Sequence, residues 1–370
     1  MRITIVGGGI VGLSTAWALT KRGHAVTLVE RAGLPNPLSA SGDHHRIIRR
    51  AYGGADGYAR TITEAFEAWE ALWRDLGHRH LDAVGVLCVS QKPGDEAEQF
   101  REGLDRGGYA YRRFDPEEAA ARWPFLDAAA LRYAFLSEEG GALHCRRIAA
   151  DLAAWLAARG VVLRTHTEVA AVDTAQARVV TSAGETIEAD RVVVAAGAWV
   201  LRLFPDLAGT LALFRQALAY VTPPADLAAA WAKAPVLLDI GGDADGYAIP
   251  PSGGGGLKFG SGRHKVPADD PDADRTPRPG EGETIRRWFS PPIARIEDYA
   301  IADVVTCAYT FTADKRFFLS PRGRTLVVSA CSGHGYKFGA AVGRRVAEAA
   351  ETGDVEGLER WLKAELPAQA

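Results

Sequence analysis

Cysteine and methionine are almost missing from this sequence. Of 370 residues, four are cysteine and one is methionine. Cys88, Cys145, Cys307 and Cys331 stand far apart and make no CxxC pair. That spacing argues against a zinc cluster or any metal site, and for reduced thiols in a cytoplasmic protein. No uninterrupted apolar run reaches the roughly 20 residues of a membrane helix, so no membrane association is expected. Met1 leads straight into a β-branched run without a charged leader or cleavage site, so no signal peptide is expected. The formal net charge is -3. No basic block speaks for nucleic acid and no acidic tail for a disordered partner arm. Lysine is scarce, and the many arginines are scattered. The length supports two domains and a substantial core.

Glycine is plentiful, and its first cluster organises the chain. Ile3, Thr4, Ile5 and Val6 read as a strand, followed at once by Gly7-Gly8-Gly9-Ile10-Val11-Gly12. Residues 13–21 can continue as a helix, and residues 24–29 read as a second strand ending on Glu30. Strand, glycine turn, helix, strand and acid together form a dinucleotide-site pattern. Gly7 would allow the tight turn, Gly9 would leave room for a pyrophosphate, and Gly12 would let the helix pack on the sheet. The helix N-terminus would offer free N–H groups to the phosphates. Glu30 would accept from a ribose hydroxyl, which favours a free 2′-hydroxyl. The residues alone leave FAD and NAD both open.

Residues 33–42 are turn-rich. His44-His45-Arg46-Ile47-Ile48-Arg49-Arg50 then concentrates charge locally. It reads as a solvated helix face, or as Arg46 and Arg49 approaching a cofactor or an anionic substrate. Residues 58–76 have helical spacing, with Ile62, Phe66, Trp69, Leu72, Trp73 and Leu76 on one face, a stripe read as packing. A strand is expected at 84–90, helices at 96–106 and 116–122, and strand character at 131–145. A helix over 145–159 is closed by Gly160. A strand at 161–163 and a ribbon over 168–190 follow.

Arg191-Val192-Val193-Val194-Ala195-Ala196-Gly197-Ala198-Trp199 reads as a buried strand entering a small-residue turn. In a doubly wound sheet such a turn lies beside the ligand crevice; a purely structural role fits the residues as well. Composition shifts after Leu211. Strands are expected at 215–221, 236–240, 246–250, 257–260 and 301–311, with a flexible loop at the glycine run 253–256. An exposed loop at 269–283 runs into a helix over 281–289. A strand at 325–329 leads into Cys331-Ser332-Gly333-His334-Gly335-Tyr336-Lys337-Phe338-Gly339 and a helix over 337–352. That ending repeats the opening in form and would aim a second helix N-terminus at the ligand; an ordinary turn is the alternative.

Over essentially its whole length the chain resembles the D-amino-acid-oxidase-type flavoproteins, most closely the branch of monomeric sarcosine, N-methyltryptophan and pipecolate oxidases. The resemblance rests on Gly7 to Gly12 with Glu30, on residues 41–52 and on residues 306–338. It implies an α/β fold: a Rossmann-like FAD-binding domain made of discontinuous chain, and a substrate domain on a mostly antiparallel sheet. The FAD-binding parts would be 1–83, 141–212 and 304–370, and the substrate parts 84–140 and 213–303. It implies FAD, held by Gly7, Gly9, Ile10, Val11, Gly12, Glu30, Arg31, Ser41, Arg46, Arg49, Val169, Gly197, Gly333, Gly335 and Lys337. It also implies a covalent bond from Cys307 to the flavin, with Cys331 structural.

The reaction so implied moves a hydride from the carbon beside an amine nitrogen to the flavin, which O2 reoxidises with release of H2O2. The substrate would be a secondary or N-methylated amino acid, its carboxylate held by Arg46 and Lys337. Tyr247 and Tyr309 would line its cavity, and Lys258 would promote the reaction with oxygen. The resemblance also implies a monomer. Two departures stand out. Gly262 falls where the sarcosine oxidase pattern has histidine, with His264 a candidate to fill that space. Asp43-His44-His45 replaces a run of smaller polar residues. Both point away from sarcosine itself, toward a bulkier secondary amine or cyclic amino acid.

Overall fold

The computed structural model describes residues 1–53, 56–241 and 245–365. Its first sheet has six strands, ordered Phe318–Arg322, Thr325–Ser329, Arg191–Val194, Arg2–Val6, Ala25–Val29, Val162–Arg164. All pairs are parallel except the outermost, Phe318–Arg322 on Thr325–Ser329. Parallel strands are covered on both faces and so read as continuous apolar runs; Val192, Val193 and Val194 are each 0 % exposed. The strands come from the start, the middle and the end of the chain. The sheet is therefore Rossmann-like and discontinuous.

The helices Ile10–Lys21 and Gly339–Thr352 join the first and last of these segments. Their approach is close because glycine forms the contact. A Cβ on Gly343 would stand 2.4 Å from the backbone of Ser14. The helix Asp56–Leu76 packs on the same pair and buries Ile62, Trp69, Leu72 and Trp73, the stripe read from its spacing.

The second sheet has nine strands and is mostly antiparallel. Its order is Val266–Pro267, Ala212–Thr222, Leu257–Ser261, Gly246–Ile249, Val236–Ile240, Val86–Ser90, Tyr133–Ser137, Arg112–Phe114, with Ala300–Phe311 also on Ala212–Thr222. Its core is separate, built round Trp231, Phe259, Phe289 and Tyr299. The pairing of Ala212–Thr222 with Ala300–Phe311 sets Gln216 opposite Cys307 and Phe214 opposite Tyr309. A small three-stranded sheet joins His45–Arg49, Gly140–His144 and Leu81–Asp82, and a meander joins Val169–Asp173, Arg178–Thr181 and Thr186–Glu188.

Several local expectations change. The stretch 44–50 is no helix face: His45–Arg49 is a strand paired with Gly140–His144. The run 253–256 forms a packed turn, in which a Cβ on Gly253 would lie 2.6 Å from the His144 ring. The loop from 269 is tied at its base, where Asp270 and Asp272 accept from Arg202 and Asp272 also from Arg31 and Trp199. The strand Phe318–Arg322 and the helix Val355–Leu362 were not expected, although the helix buries Leu358, Trp361 and Leu362 at helical spacing.

Candidate active site

One cavity of about 1060 Å³ runs between the two sheets. At one end its wall is backbone. Gly7 has φ +106°, and a Cβ there would sit 2.4 Å from the Ala195 carbonyl oxygen. A Cβ on Gly12 would sit 1.9 Å from the Gly7 carbonyl oxygen. These two glycines let the chain turn and the helix close on it. Gly9 differs: the nearest atom to a Cβ there would be the Ser41 hydroxyl oxygen at 3.5 Å. Its face is open to the cavity, as a phosphate cradle requires.

Ser41 accepts from the Ile10 N–H at 3.1 Å, which fastens the turn over the helix start. Glu30 is 5 % exposed. It accepts from Gly8 N–H at 2.7 Å, Ala32 N–H at 3.0 Å and the Asn36 amide at 2.9 Å. Three bonds leave acceptor capacity on its two oxygens. Ile10, Val11, Glu30, Arg31, Ser41, Val169 and Gly197 all line this end. Arg31 pairs with Asp272 at 2.8 Å and stands over the Trp199 ring.

At the other end the wall is side chain. Arg46, Arg49, Tyr247, Tyr309, Gly333, Gly335 and Lys337 line it. Arg46 donates to Asp43 at 2.7 Å, to the His45 carbonyl at 3.0 Å and to the Ala40 carbonyl at 2.7 Å. Arg49 lies between the rings of Tyr52 and Phe100, its guanidinium carbon 4.5 Å from each centroid. It makes no ion pair among the described residues.

Lys337 is 6 % exposed, and among the described residues its ammonium donates to the His334 carbonyl alone, at 3.1 Å. Burial, with Arg49 nearby, holds its pKa well below the ordinary range. Trp69 of the packing stripe donates to the Lys337 carbonyl at 2.7 Å, so that stripe also fixes the lysine. Burial pushes both phenols, Tyr247 and Tyr309, upward, so they remain neutral donors. Gly260, opposite Tyr247, makes room for its ring: a Cβ there would lie 2.4 Å from it.

Three expected site residues stand off the cavity wall. Gly12 lies behind the glycine turn. Cys307 is 4 % exposed, and burial raises its thiol pKa against the nearby Arg46 and Tyr309. Lys258 is 0 % exposed; it donates to Asp43 at 2.8 Å and to the His45 carbonyl at 2.5 Å. His264 turns away to Glu281, at 2.7 Å, and to Trp288, so it does not replace a histidine at position 262. The space beside Gly262 holds the Asp245 carboxylate, 1.9 Å from where a Cβ would be. Asp43 went unassigned in the sequence, although one acid beside three arginines signals a pairing.

A glycine-turned helix start on a discontinuous parallel sheet, opening into a cavity that ends on buried cations, has the form of a dinucleotide-dependent oxidoreductase with a small-molecule site beside the cofactor. The chain belongs to the DAO family of FAD dependent oxidoreductases, whose model matches residues 2–349. It is 27% identical to monomeric sarcosine oxidase of Bacillus sp. (strain B-0618), over 96% of this chain and 93% of that one. It is 25% identical to N-methyl-L-tryptophan oxidase of Yersinia pestis (strain Pestoides F), over 92% of each. In fold it is similar to NikD, described as an unusual amino acid oxidase essential for nikkomycin biosynthesis. The TM-score is 0.79 and the identity 22%, with 96% of each chain covered.

The protein is thus an FAD-dependent oxidase of the amino-acid and amine oxidase type. Its residues fit FAD: the Gly9 face is open, the helix start is free to meet a phosphate, and the cavity continues past both. Bound FAD supplies the acceptor for a hydride from the carbon beside the substrate nitrogen, and O2 takes the two electrons and leaves as H2O2. No helix among the described residues is long and apolar enough to cross a membrane.

Proposed function

We propose that the substrate is a secondary or N-methylated amino acid whose carboxylate is bound between Arg46 and Lys337. The observation that carries this reading is Lys337, a buried ammonium on the cavity wall with one backbone carbonyl for a partner. A buried cation so poorly matched is costly unless an anion completes it. A carboxylate would do so, and would orient the α-carbon in a water-poor site. Tyr247 and Tyr309 then act as neutral walls round the amine. The N-methyl-L-tryptophan oxidase relative is in keeping with a substrate larger than sarcosine, although the space beside Gly262 is filled by the Asp245 carboxylate.

The remaining assignments belong to the same proposal. The fifteen FAD contacts named from the resemblance keep those roles. Lys258, from behind the wall, supplies positive charge that speeds the reaction with O2. Cys307 bonds covalently to the flavin. The division of the chain at 83, 140, 212 and 303 is kept as part of the proposal, although the strands Ala212–Thr222 and Ala300–Phe311 of the second sheet cross its last two points. The enzyme belongs to the sarcosine-oxidase-like branch and works as a cytoplasmic monomer without nucleic acid or membrane.

The test begins with acid denaturation of the purified yellow protein, followed by digestion and mass mapping. Flavin is expected on the peptide containing Cys307; flavin released free would return Cys307 to a packed strand cysteine. A screen of N-methyl and cyclic amino acids with peroxide readout then sorts the substrate class. Activity confined to amines without a carboxylate would overturn the roles of Arg46 and Lys337.

A further inference from the structure

Asp43 has no role so far, yet it holds the cations of the site together. It is 5 % exposed. Its Oδ2 accepts from Lys258 Nζ at 2.8 Å and from Arg46 Nη1 at 2.7 Å. Its Oδ1 accepts from the Tyr220 hydroxyl at 2.6 Å and the His44 N–H at 2.8 Å. One carboxylate oxygen thus joins a cation on the cavity wall to a cation with no exposure at all. Burial alone would raise the Asp43 carboxyl, but Lys258 and Arg46 hold it well below the usual range, so it is ionised. Burial lowers Lys258, and Asp43 opposes that.

We propose that Asp43 is a positioning residue that keeps Lys258 charged and fixed behind the cavity wall while tempering the pull of Arg46 on the substrate carboxylate. This rests on the reading of Lys258 as the group that promotes reaction with oxygen.

The groups facing Lys258 are Asp43, Arg46, His44, His45, Tyr220 and Cys145. None but Asp43 carries negative charge at neutral pH. His45 is neutral, its pKa pulled by burial to about 2. Burial raises the Tyr220 phenol and lifts the Cys145 thiol to about 11. Without Asp43, the Lys258 ammonium would keep the His45 carbonyl but face the Arg46 charge unopposed in a dry interior, and would shed its proton more readily. Arg46 keeps the Ala40 and His45 carbonyls and so stays in place, its charge unopposed. The two cations must therefore respond in opposite senses, which a merely structural role for Asp43 would not produce.

The test uses Asp43→Asn holoenzyme beside the parent and Lys258→Met. With 15N-lysine labelling, the Lys258 ammonium resonance, assigned by its loss in Lys258→Met, should be present at pH 8 in the parent and largely lost in Asp43→Asn. Binding of 2-furoate, a non-reacting carboxylate followed by flavin absorbance, should tighten several-fold. Reoxidation of the reduced enzyme by O2 should slow roughly tenfold at pH 8, the effect of about one pKa unit, and recover as the pH is lowered. Should Asp43→Asn not fold, the parent still decides: 2-furoate on Arg46 should shift the Lys258 resonance, because both cations share Oδ2. A Lys258 resonance unchanged in Asp43→Asn, or untouched by 2-furoate in the parent, overturns the proposal. Parent-like reoxidation in Lys258→Met would sink the oxygen role of Lys258 only, and the resonance and 2-furoate results would still decide on Asp43.

Discussion

At the nucleotide end the cavity is made of backbone: Gly7, Gly9 and the first N–H groups of the helix Ile10–Lys21. At the substrate end it is made of long side chains, Arg46, Arg49, Tyr247, Tyr309 and Lys337, brought from separate elements. The first surface is shaped by what is missing, since each glycine either lets another backbone come near or leaves a face open. The second is shaped by charge placed where water is scarce. Backbone shape resists substitution through sterics, and buried charge resists it through desolvation. The two ends should therefore fail differently when altered.

The largest effect is expected at Gly12. A methyl there meets the Gly7 carbonyl oxygen at 1.9 Å, and both partners are backbone. Gly12→Ala should cost about 3 kcal/mol or more, because neither the turn nor the helix can yield without moving the first strand. Thermal unfolding and flavin content should fall together. A variant that kept the parent's melting temperature and full flavin would break the claim that the helix is closed down on the turn.

Lys337→Met should show the opposite pattern. Its side chain is buried with one bond to a carbonyl, so replacing the ammonium with an apolar group of similar length removes a desolvation cost. Stability should hold or rise, by about 1 kcal/mol, while 2-furoate affinity drops by roughly 2–3 kcal/mol for the lost charge-assisted bond. The pH dependence carries a sign. Lys337 titrates well below the ordinary lysine range, and a bound carboxylate favours its charged form. Affinity in the parent should be full below that lowered pKa and fall as the pH rises through it, whereas Lys337→Met should lack this phase. Titrating 2-furoate across pH in both proteins checks it.

The same contrast explains what could be read in the sequence. The glycine turn, its helix and Glu30 lie within thirty residues, and local spacing alone sets their geometry. The strand runs at 191–194 and 325–329 were legible for a similar reason: burial on both faces leaves a β-branched signature. The substrate end has no such signature. Lys258 meets Asp43 across 215 residues of chain, and Trp69 meets Lys337 across 268. No periodicity encodes such pairs, so resemblance alone picked out Lys258 and Lys337, while the local charge cluster had already offered Arg46. It had no view of Asp43, which stands at a departure from the pattern. The stretch 44–50 was ambiguous because a short apolar-cationic run fits helix or strand until its pairing with Gly140–His144 is seen. His264 looked near enough to replace a missing histidine, but two positions along a turn were enough to send it to Glu281.

The smallest effect on stability, and the sharpest cut within the backbone end, belongs to Gly9. It precedes the helix with φ -71° and ψ -179°, a conformation open to any residue. A Cβ there meets only the Ser41 hydroxyl, at 3.5 Å. Alanine restricts the unfolded chain, a gain of about 0.5 kcal/mol, and is a poorer helix cap than glycine, a loss of similar size. Gly9→Ala should therefore leave the melting temperature of flavin-free protein almost unchanged. The methyl would nevertheless stand in the open face where a phosphate must approach the backbone. Flavin incorporation should fall well out of proportion to stability, unlike Gly12→Ala, where both fall together. Reconstituting the flavin-free protein with FAD separates the two quantities. Parent-like incorporation would mean that the pyrophosphate does not pass over Gly9, and that the helix start and Ser41 hold it from another side.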